Sequence, residues 1–83
     1  SVPAIIQPKL KLYPSPSSGN VTIESTIGHG VIFVIDMTGR KVFQKQMNNA
    51  RANLDLHFLP SGLYNIVLTD DEVRLSEQIV IAR

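Results

Sequence analysis

This chain of 83 residues contains no cysteine and no tryptophan. Without cysteine it can form neither a disulfide nor a thiolate metal centre, so packing and hydrogen bonds must stabilise its fold. Long hydrophobic runs are also missing. The longest, residues 31–35, is far shorter than the roughly 20 residues that cross a bilayer as a helix. The length fits one domain, whose folding buries roughly 60–65% of the surface of the unfolded chain.

The chain also has no large excess of one charge, because its eight Lys/Arg residues nearly balance its seven Asp/Glu residues and the net charge is +1. Binding to nucleic-acid phosphates needs a clustered basic face. The basic residues that come closest to forming such a face are separated by apolar residues, and we interpret them as ordinary solvated strand residues. We therefore expect no nucleic-acid partner. The residues concerned are Lys9, Lys11, Arg40, Lys41 and Lys45.

The residues of a catalytic or metal centre are sparse as well. His29 stands between two glycines and His57 alternates with leucines, so His57 should face solvent. A metal site needs three or four convergent ligands, and the acids at residues 70–72 lack the alternating spacing of a calcium loop. The serines lie in Pro/Gly-rich turns with no histidine patterned near them. We expect no cofactor, no metal and no enzyme activity.

The first eight residues differ from the rest. They contain Pro3 and Pro8 and show no clear hydrophobic period. Together with a start at Ser1 rather than Met, this predicts that residues 1–8 are a linker from a larger upstream protein. Residues 9–83 would then form the domain.

Alternation of apolar and polar residues dominates that domain. Turn residues interrupt it at close to the 8–12-residue spacing typical of sandwiches and barrels, and no helix-length window keeps a helical period. We predict an all-β fold, an immunoglobulin-like β-sandwich of about seven antiparallel strands. The candidate strands are residues 9–12, 21–24, 31–35, 40–47, 53–58, 62–69 and 73–82.

Several strands can be placed further. Residues 31–35 are apolar on both faces, which predicts an interior strand, whereas the polar residues 40–47 predict an edge. In residues 53–58 the alternation puts Leu54, Leu56 and Phe58 on one face. Asn48 and Asn49 predict a turn, since asparagine tolerates the left-handed region.

The segment Leu59-Pro-Ser-Gly-Leu-Tyr64 predicts a turn between two sheets followed by a buried tyrosine. One interpretation is a tyrosine corner, in which the Tyr64 hydroxyl returns to backbone a few residues upstream. A plain core aromatic is the alternative, and it gives the same fold.

Four phrases in a fixed order resemble the type A C-terminal sorting domain of the type IX secretion system, found on secreted proteins of Bacteroidetes. The first is Tyr13-Pro14-Ser15-Pro16 with Gly19, and the second is a strand ending at Asp36, followed by Gly39-Arg40 and Val42. The third is Leu59, Gly62 and Tyr64, and the last is the strand Gln78-Ile79-Val80-Ile81. The resemblance covers residues 10–83. Ser15 stands where the family usually has asparagine, and Gln78 where lysine is common.

The resemblance implies a secretion signal that directs an attached cargo through the outer membrane. The partners would be the outer-membrane translocon and a sortase-like cysteine protease. The cargo would cross the periplasm, the protease would cut in or before residues 1–8, and the cargo would be released or attached to the cell surface.

Recognition would use exposed strand edges and the last strand, by β-addition or by a groove that captures the terminus. The predicted recognition residues are Arg40, Gln78, Ile79, Val80, Ile81 and Arg83, with Arg83 able to supply the charge missing at position 78. The predicted motif or fold determinants are Tyr13, Pro14, Pro16, Gly19, Asp36, Gly39, Leu59, Gly62 and Tyr64.

Two alternatives stay open at this point. One is a docking domain retained by a component of the secretion apparatus, which the unusual Gln78 favours. The other is a small immunoglobulin-like module that binds carbohydrate or protein. Carbohydrate platforms use exposed aromatic rings, and Phe43 on the polar strand is the best exposed candidate.

Overall fold

The computed structural model describes residues 8–83, so most of the expected linker at residues 1–8 lies outside the described residues. Seven strands form in this range, which confirms the all-β prediction. They are β1 (Leu10–Tyr13), β2 (Asn20–Ser25), β3 (Gly30–Ile35), β4 (Lys41–Met47), β5 (Arg51–Asp55), β6 (Gly62–Thr69) and β7 (Arg74–Ile81). Residues 8–83 contain no helix of the length and apolar character needed to cross a membrane.

The strands pair into two antiparallel sheets. One has three strands in the order β1-β2-β5, and the other has four in the order β4-β3-β6-β7. Between β1 and β2 the chain leaves the first sheet, and Ser17 forms a parallel bridge with Ile81 of β7. The bridge joins the two sheets along one side of the sandwich.

The core lies between the sheets and is built by the alternation read from the sequence. Every second residue of each inner strand points inward, and burying one such aliphatic side chain stabilises the fold by about 1.5–3 kcal/mol. The three-stranded sheet and the segment after it contribute Val21, Ile23, Leu54, Leu56 and Leu59. The four-stranded sheet contributes Ile32, Val34, Met47, Tyr64, Ile66, Leu68, Ile79 and Ile81.

The sheet positions of two strands confirm their predictions. The apolar strand β3 is interior, between β4 and β6, and the polar strand β4 is an edge. The apolar residues on the second face of β3 are only half-buried, because no layer formed by residues 8–83 covers that side of the sheet. The residues concerned are Val31, Phe33 and Ile35.

One expectation for the strands was wrong. Phe58 does not continue the inward face of Leu54 and Leu56 but is 60% exposed. Strand β5 ends at Asp55, and a turn closed by a 3.0 Å bond from the Leu59 amide to the Leu56 carbonyl resets the alternation, so Leu59 enters the core instead. The predicted turn at residues 48–49 is confirmed, since β4 ends at Met47 and β5 begins at Arg51. It forms without a left-handed asparagine, because no described residue other than glycine has positive φ.

Candidate functional site

The four sequence phrases, far apart in the chain, meet at one end of the sandwich. In the four-stranded sheet β3 ends, β6 begins and β7 ends there, with Gly62 opposite Ile81. In the three-stranded sheet β1 ends, β2 begins and β5 ends there, with Asn20 opposite Asp55. We call this end, formed by residues 13–20, 36–40, 56–61 and 82–83, the motif end. The opposite end, formed by residues 8–9, 26–29, 48–50 and 70–73, is the entry end.

The turn after β1 is fastened to β7 through Ser17. Its hydroxyl donates to the Asn20 carbonyl at 2.6 Å and accepts from the Gly19 amide at 3.0 Å. Its own amide donates to the Val80 carbonyl, and its carbonyl accepts from the Ala82 amide, each at 2.8 Å. The neighbouring Tyr13–Pro14 and Ser15–Pro16 peptides, which carry the motif prolines, are both cis. The first phrase and the last strand thus form one hydrogen-bonded unit.

Gly19 has a physical reason to be glycine. Its φ is +144°, and a Cβ atom there would lie 2.4 Å from the Cδ2 atom of His57. Its carbonyl accepts from the Leu56 amide at 2.8 Å, which holds the two turns together. At Gly62, by contrast, φ is not positive and a Cβ would lie 3.7 Å from the Tyr64 ring, an ordinary contact.

Asp36 organises the turn between β3 and β4. One of its carboxylate oxygens accepts from the Thr38 hydroxyl at 2.6 Å, the Thr38 amide at 2.9 Å and the Arg40 amide at 3.1 Å. The Thr38 hydroxyl first, and then the Arg40 amide, hold the pKa of Asp36 below its ordinary value, because these bonds favour the ionised form. Gly39 closes the turn with φ +88°.

The Arg40 side chain stays available to a partner. Its Nε lies 3.5 Å from the second Asp36 oxygen, but the side chain is 78% exposed. An exposed pair of this kind contributes little to stability. Its guanidinium can therefore exchange Asp36 for a carboxylate on another molecule.

Tyr64 forms the tyrosine corner, which decides between the two interpretations of the third phrase. Its ring is buried and its hydroxyl donates to the Pro60 carbonyl at 2.7 Å. Leu59, which precedes Pro60 in the chain, is buried in the core. The third phrase thus fixes the crossing from β5 to β6.

Arg83 clamps the motif end. Its guanidinium donates to the Leu56 carbonyl at 3.1 Å and also to the His57 carbonyl, while its amide donates to the Ser61 hydroxyl at 3.3 Å. Gln78 lies five residues back along the chain, roughly 16 Å away if extended. The geometry therefore does not support Arg83 as a substitute charge beside position 78.

Strand β7 divides the predicted recognition residues between its two faces. Ile79 and Ile81 point into the core, whereas Gln78 and Val80 point outward, and Val80 is 42% exposed. The side chains of Ile79 and Ile81 are closed to a partner of the folded domain because strand residues alternate between faces.

The backbone edge of β7 is only partly free. Ser17 occupies the outward groups at Val80 and Ala82, and outward groups recur at every second residue of a strand. The backbone groups of Arg74, Ser76 and Gln78 thus point away from β6, to the side where β7 has no hydrogen-bonded strand neighbour within residues 8–83. Residues 8–10 lie across a small cleft from Ser76, so this part of the edge is narrow.

Two exposed apolar side chains at the motif end were not predicted as site residues. They are Met37, 69% exposed, and Phe58. Phe43, predicted to be the best exposed aromatic, is half-buried against the core, and its ring centroid lies 6.0 Å from that of Phe58. The prediction for Phe43 was wrong because β4, although an edge, still packs one face on the sandwich. The turn residues near Phe58 were the sequence signal that the strand alternation ends there and that Phe58 points outward.

Tyr13 takes part in a polar cluster that the sequence did not reveal. Its hydroxyl donates to Glu24 at 2.6 Å, and Arg51 Nε donates to the same carboxylate oxygen at 3.0 Å. The Tyr13 hydroxyl and then Arg51 hold the pKa of Glu24 below its ordinary value, while Glu24 raises the pKa of Tyr13. The contact depends on the β1-β2-β5 order, which no local pattern gives.

The two histidines lie at opposite ends of the sandwich. His57 is exposed, as predicted, and its Nδ1 lies 2.6 Å from Asp55, whose pKa the imidazole hydrogen bond lowers. The Asp-x-His spacing on one strand face was the available signal for this pair. His29 lies at the entry end. Within residues 8–83 no three His, Asp or Glu side chains are grouped to hold a metal ion.

Comparison with known proteins gives one match. A family model described as "Secretion system C-terminal sorting domain" matches residues 11–82, nearly all of the described range. No curated protein matches the chain. The family match does not favour a carbohydrate-binding module or a retained docking domain.

Proposed function

The chain belongs to the secretion system C-terminal sorting domains, the secretion signals of type IX cargo proteins, and we propose that its folded motif end is recognised by the outer-membrane translocon. The observation that carries this proposal is the convergence of all four phrases on that end. The predicted recognition residues with side chains exposed there or leading to it are Arg40, Gln78, Val80 and Arg83, of which Arg83 is already bonded to the Leu56 and His57 carbonyls. Arg40, Gln78 and Val80 are therefore the proposed contact residues. They would make the contacts, while Ile79 and Ile81 hold the strand in place.

The entry end would carry the cargo. Among residues 8–83, Lys9 is the first with tertiary hydrogen bonds: its amide donates to the Thr26 hydroxyl at 2.9 Å, and its carbonyl accepts from the Thr26 amide at 3.2 Å. Strand β6, with eight residues, separates the two ends by roughly 26 Å. A linker at residues 1–8 would thus enter a protease cleft without disturbing the motif end.

The further steps follow from family membership. The cargo would cross the periplasm, the translocon would carry it across the outer membrane, and a sortase-like cysteine protease would cut the linker and release the cargo or attach it to the cell surface. The domain itself would act by binding, without catalysis and without a cofactor. What supports this is that its polar motif residues are engaged in turns: Ser17, Asp36 and Tyr64 each bond to nearby backbone.

The test uses a periplasmic reporter fused to residues 1–83 in a type IX-competent strain. The variant R40E/V80E changes the exposed motif-end residues. The control K9E/A50E makes the same change in net charge at exposed positions of the entry end. We expect the intact fusion and the control to reach the medium or cell surface, and R40E/V80E to be retained.

Two results would contradict the proposal at different levels. Retention of the intact fusion in the periplasm would overturn the sorting function of this chain. Normal secretion of R40E/V80E would overturn recognition at the motif end alone. Mass spectrometry of the secreted reporter locates the cut, which we expect in or before residues 1–8.

A further inference from the structure

The outer face of the four-stranded sheet is unusually apolar for a side that no element within residues 8–83 covers. Strand alternation places on it the neighbours of the core residues Ile32 and Ile66. Val67 is only 3% exposed, yet it is not part of the core cluster between the sheets. The apolar residues of this face are Val31, Phe33, Ile35, Leu63, Val67 and Val80.

A groove crosses this face towards the motif end. Phe33 and Val67 line its apolar part, and Lys41 and Arg74 lie along its sides. The Lys41 ammonium lies 4.3 Å from the Phe33 ring centroid, a cation–π distance that holds its charge over the face. The groove thus combines an apolar floor with two cations.

No strand residue on this face is acidic. The outward residues of β3, β4, β6 and β7 are apolar, amide, hydroxyl or cationic, since Glu77 lies on the other face of β7. The nearby acids belong to turns: Asp36 is bonded within its own, and Asp70 accepts from the Glu72 and Val73 amides. Asp71 lies beside Val31 and Thr69 at the entry end of this face, but it forms no ion pair with Lys41 or Arg74. Lys41 and Arg74 therefore have no carboxylate partner on this face among the described residues.

The outer face of the three-stranded sheet shows the opposite character. There Glu24 accepts from Tyr13 and Arg51, and the Thr22 hydroxyl bonds to Asn53 at 3.0 Å. Its polar groups are engaged with one another, as on an ordinary solvated sheet face. The two outer faces of one small domain thus differ in both hydrophobicity and charge pairing.

We propose that the outer face of the four-stranded sheet docks on a protein of the export machinery that presents an apolar ridge flanked by carboxylates. The ridge would contact the half-buried side chains of Phe33 and Ile35, beneath which Val67 forms the buried floor of the groove. The carboxylates would contact Lys41 and Arg74. This surface is continuous with the proposed contact residues Gln78, Val80 and Arg40. The docking proposal therefore rests on the proposed function and specifies the surface that would bind the partner. A second copy packed face to face through the same sheet offers no strand carboxylate for these cations, because the outward residues of β3, β4, β6 and β7 include no acid. Two cations attract an anionic bilayer only weakly.

The test compares two charge reversals of equal size on the reporter fusion that carries residues 1–83. K41E/R74E changes the proposed surface. K9E/K11E changes exposed lysines of the three-stranded side. Binding of each fusion to detergent-solubilised translocon, purified from a type IX-competent strain, is measured together with secretion, and circular dichroism checks that each variant folds.

We expect K41E/R74E to weaken binding at least ten-fold and to reduce secretion, while K9E/K11E stays within about two-fold of the parent. If K41E/R74E misfolds, K41Q/R74Q replaces it. This charge-neutral variant should bind more weakly than the parent and lose the parent's dependence on salt concentration.

Other outcomes separate the possibilities. If the parent binds and is secreted, and K41E/R74E and K41Q/R74Q both behave like the parent, the proposed docking surface is wrong and the sorting function stands. If the parent is neither bound nor secreted, the sorting function itself fails. Two further results would overturn the proposed protein partner if K41E/R74E leaves translocon binding unchanged. One is binding of the parent to vesicles that contain one quarter phosphatidylglycerol. The other is a dimer of the parent that K41E/R74E abolishes.

Discussion

At the scale of single residues, Gly19 shows how a motif position can be fixed by the fold. Gly19→Ala should destabilise the domain by about 1–3 kcal/mol, because it adds a side chain in a positive-φ conformation and a Cβ only 2.4 Å from the His57 ring. Urea denaturation measures the change. Gly28→Ala is the control: a Cβ there meets nothing within 4 Å, so we expect a change within about 0.5 kcal/mol. Equal effects would contradict the steric argument.

Asp36 gives a pH dependence whose sign follows from its hydrogen bonds. The Thr38 hydroxyl and the Arg40 amide lower the pKa of Asp36 in the folded domain, whereas in the unfolded chain it titrates near the ordinary value of about 3.9. The stabilisation is therefore present above about pH 4 and is lost as the pH falls through the lowered folded pKa. Asp36→Asn should destabilise the domain more at pH 6 than at pH 3, measured by urea denaturation.

The matched control for this pH dependence is Asp71→Asn. The Asp71 side chain is exposed and makes no hydrogen bond to the described residues, unlike Asp36, whose carboxylate accepts three. The effect of Asp71→Asn on stability should be small at both pH values. A penalty for Asp36→Asn that is the same at pH 6 and pH 3 would contradict the argument from its carboxylate.

At the scale of elements, the end of β7 is held by polar contacts to two turns. Arg83→Met keeps the aliphatic part of the side chain but removes the donors to the Leu56 and His57 carbonyls. We expect a loss of about 0.5–1.5 kcal/mol. Amide hydrogen exchange should accelerate at Ala82, whose amide donates to Ser17, but not at Ile66 in the core of β6. Unchanged protection of Ala82 would show that Ser17 alone holds the strand.

The elements themselves were largely predictable. Alternation and turn residues are local, and they indicated seven strands, the interior position of β3 and the edge position of β4. Alternation failed after Asp55, where a turn replaces the strand and puts Phe58 outside and Leu59 inside. A period of two holds only while the backbone stays extended.

At the scale of the whole molecule, the proposed recognition requires a folded domain. Ile66→Ala opens a cavity in the centre of the sandwich and should cost about 2–5 kcal/mol. For a domain of this size that is a large part of the total stability. Secretion of the reporter should fall with the folded fraction, measured by proteolysis of the periplasmic pool. Full secretion of a largely unfolded variant would mean that a linear segment is read instead.

The all-β class, most of the strand positions, the turns closed by Asp36 and Gly39 and the buried tyrosine could be read from local patterns, because each depends on residues close together in the chain. The shared end of the four phrases, the burial of Ile79 and Ile81 beside an exposed Val80, and the contacts of Arg83 with the turn after β5 could not be read in this way. The same is true of the unequal outer faces of the two sheets. These features depend on which strands become neighbours and which face meets the other sheet, and long-range pairing of this kind is set by packing of the whole chain.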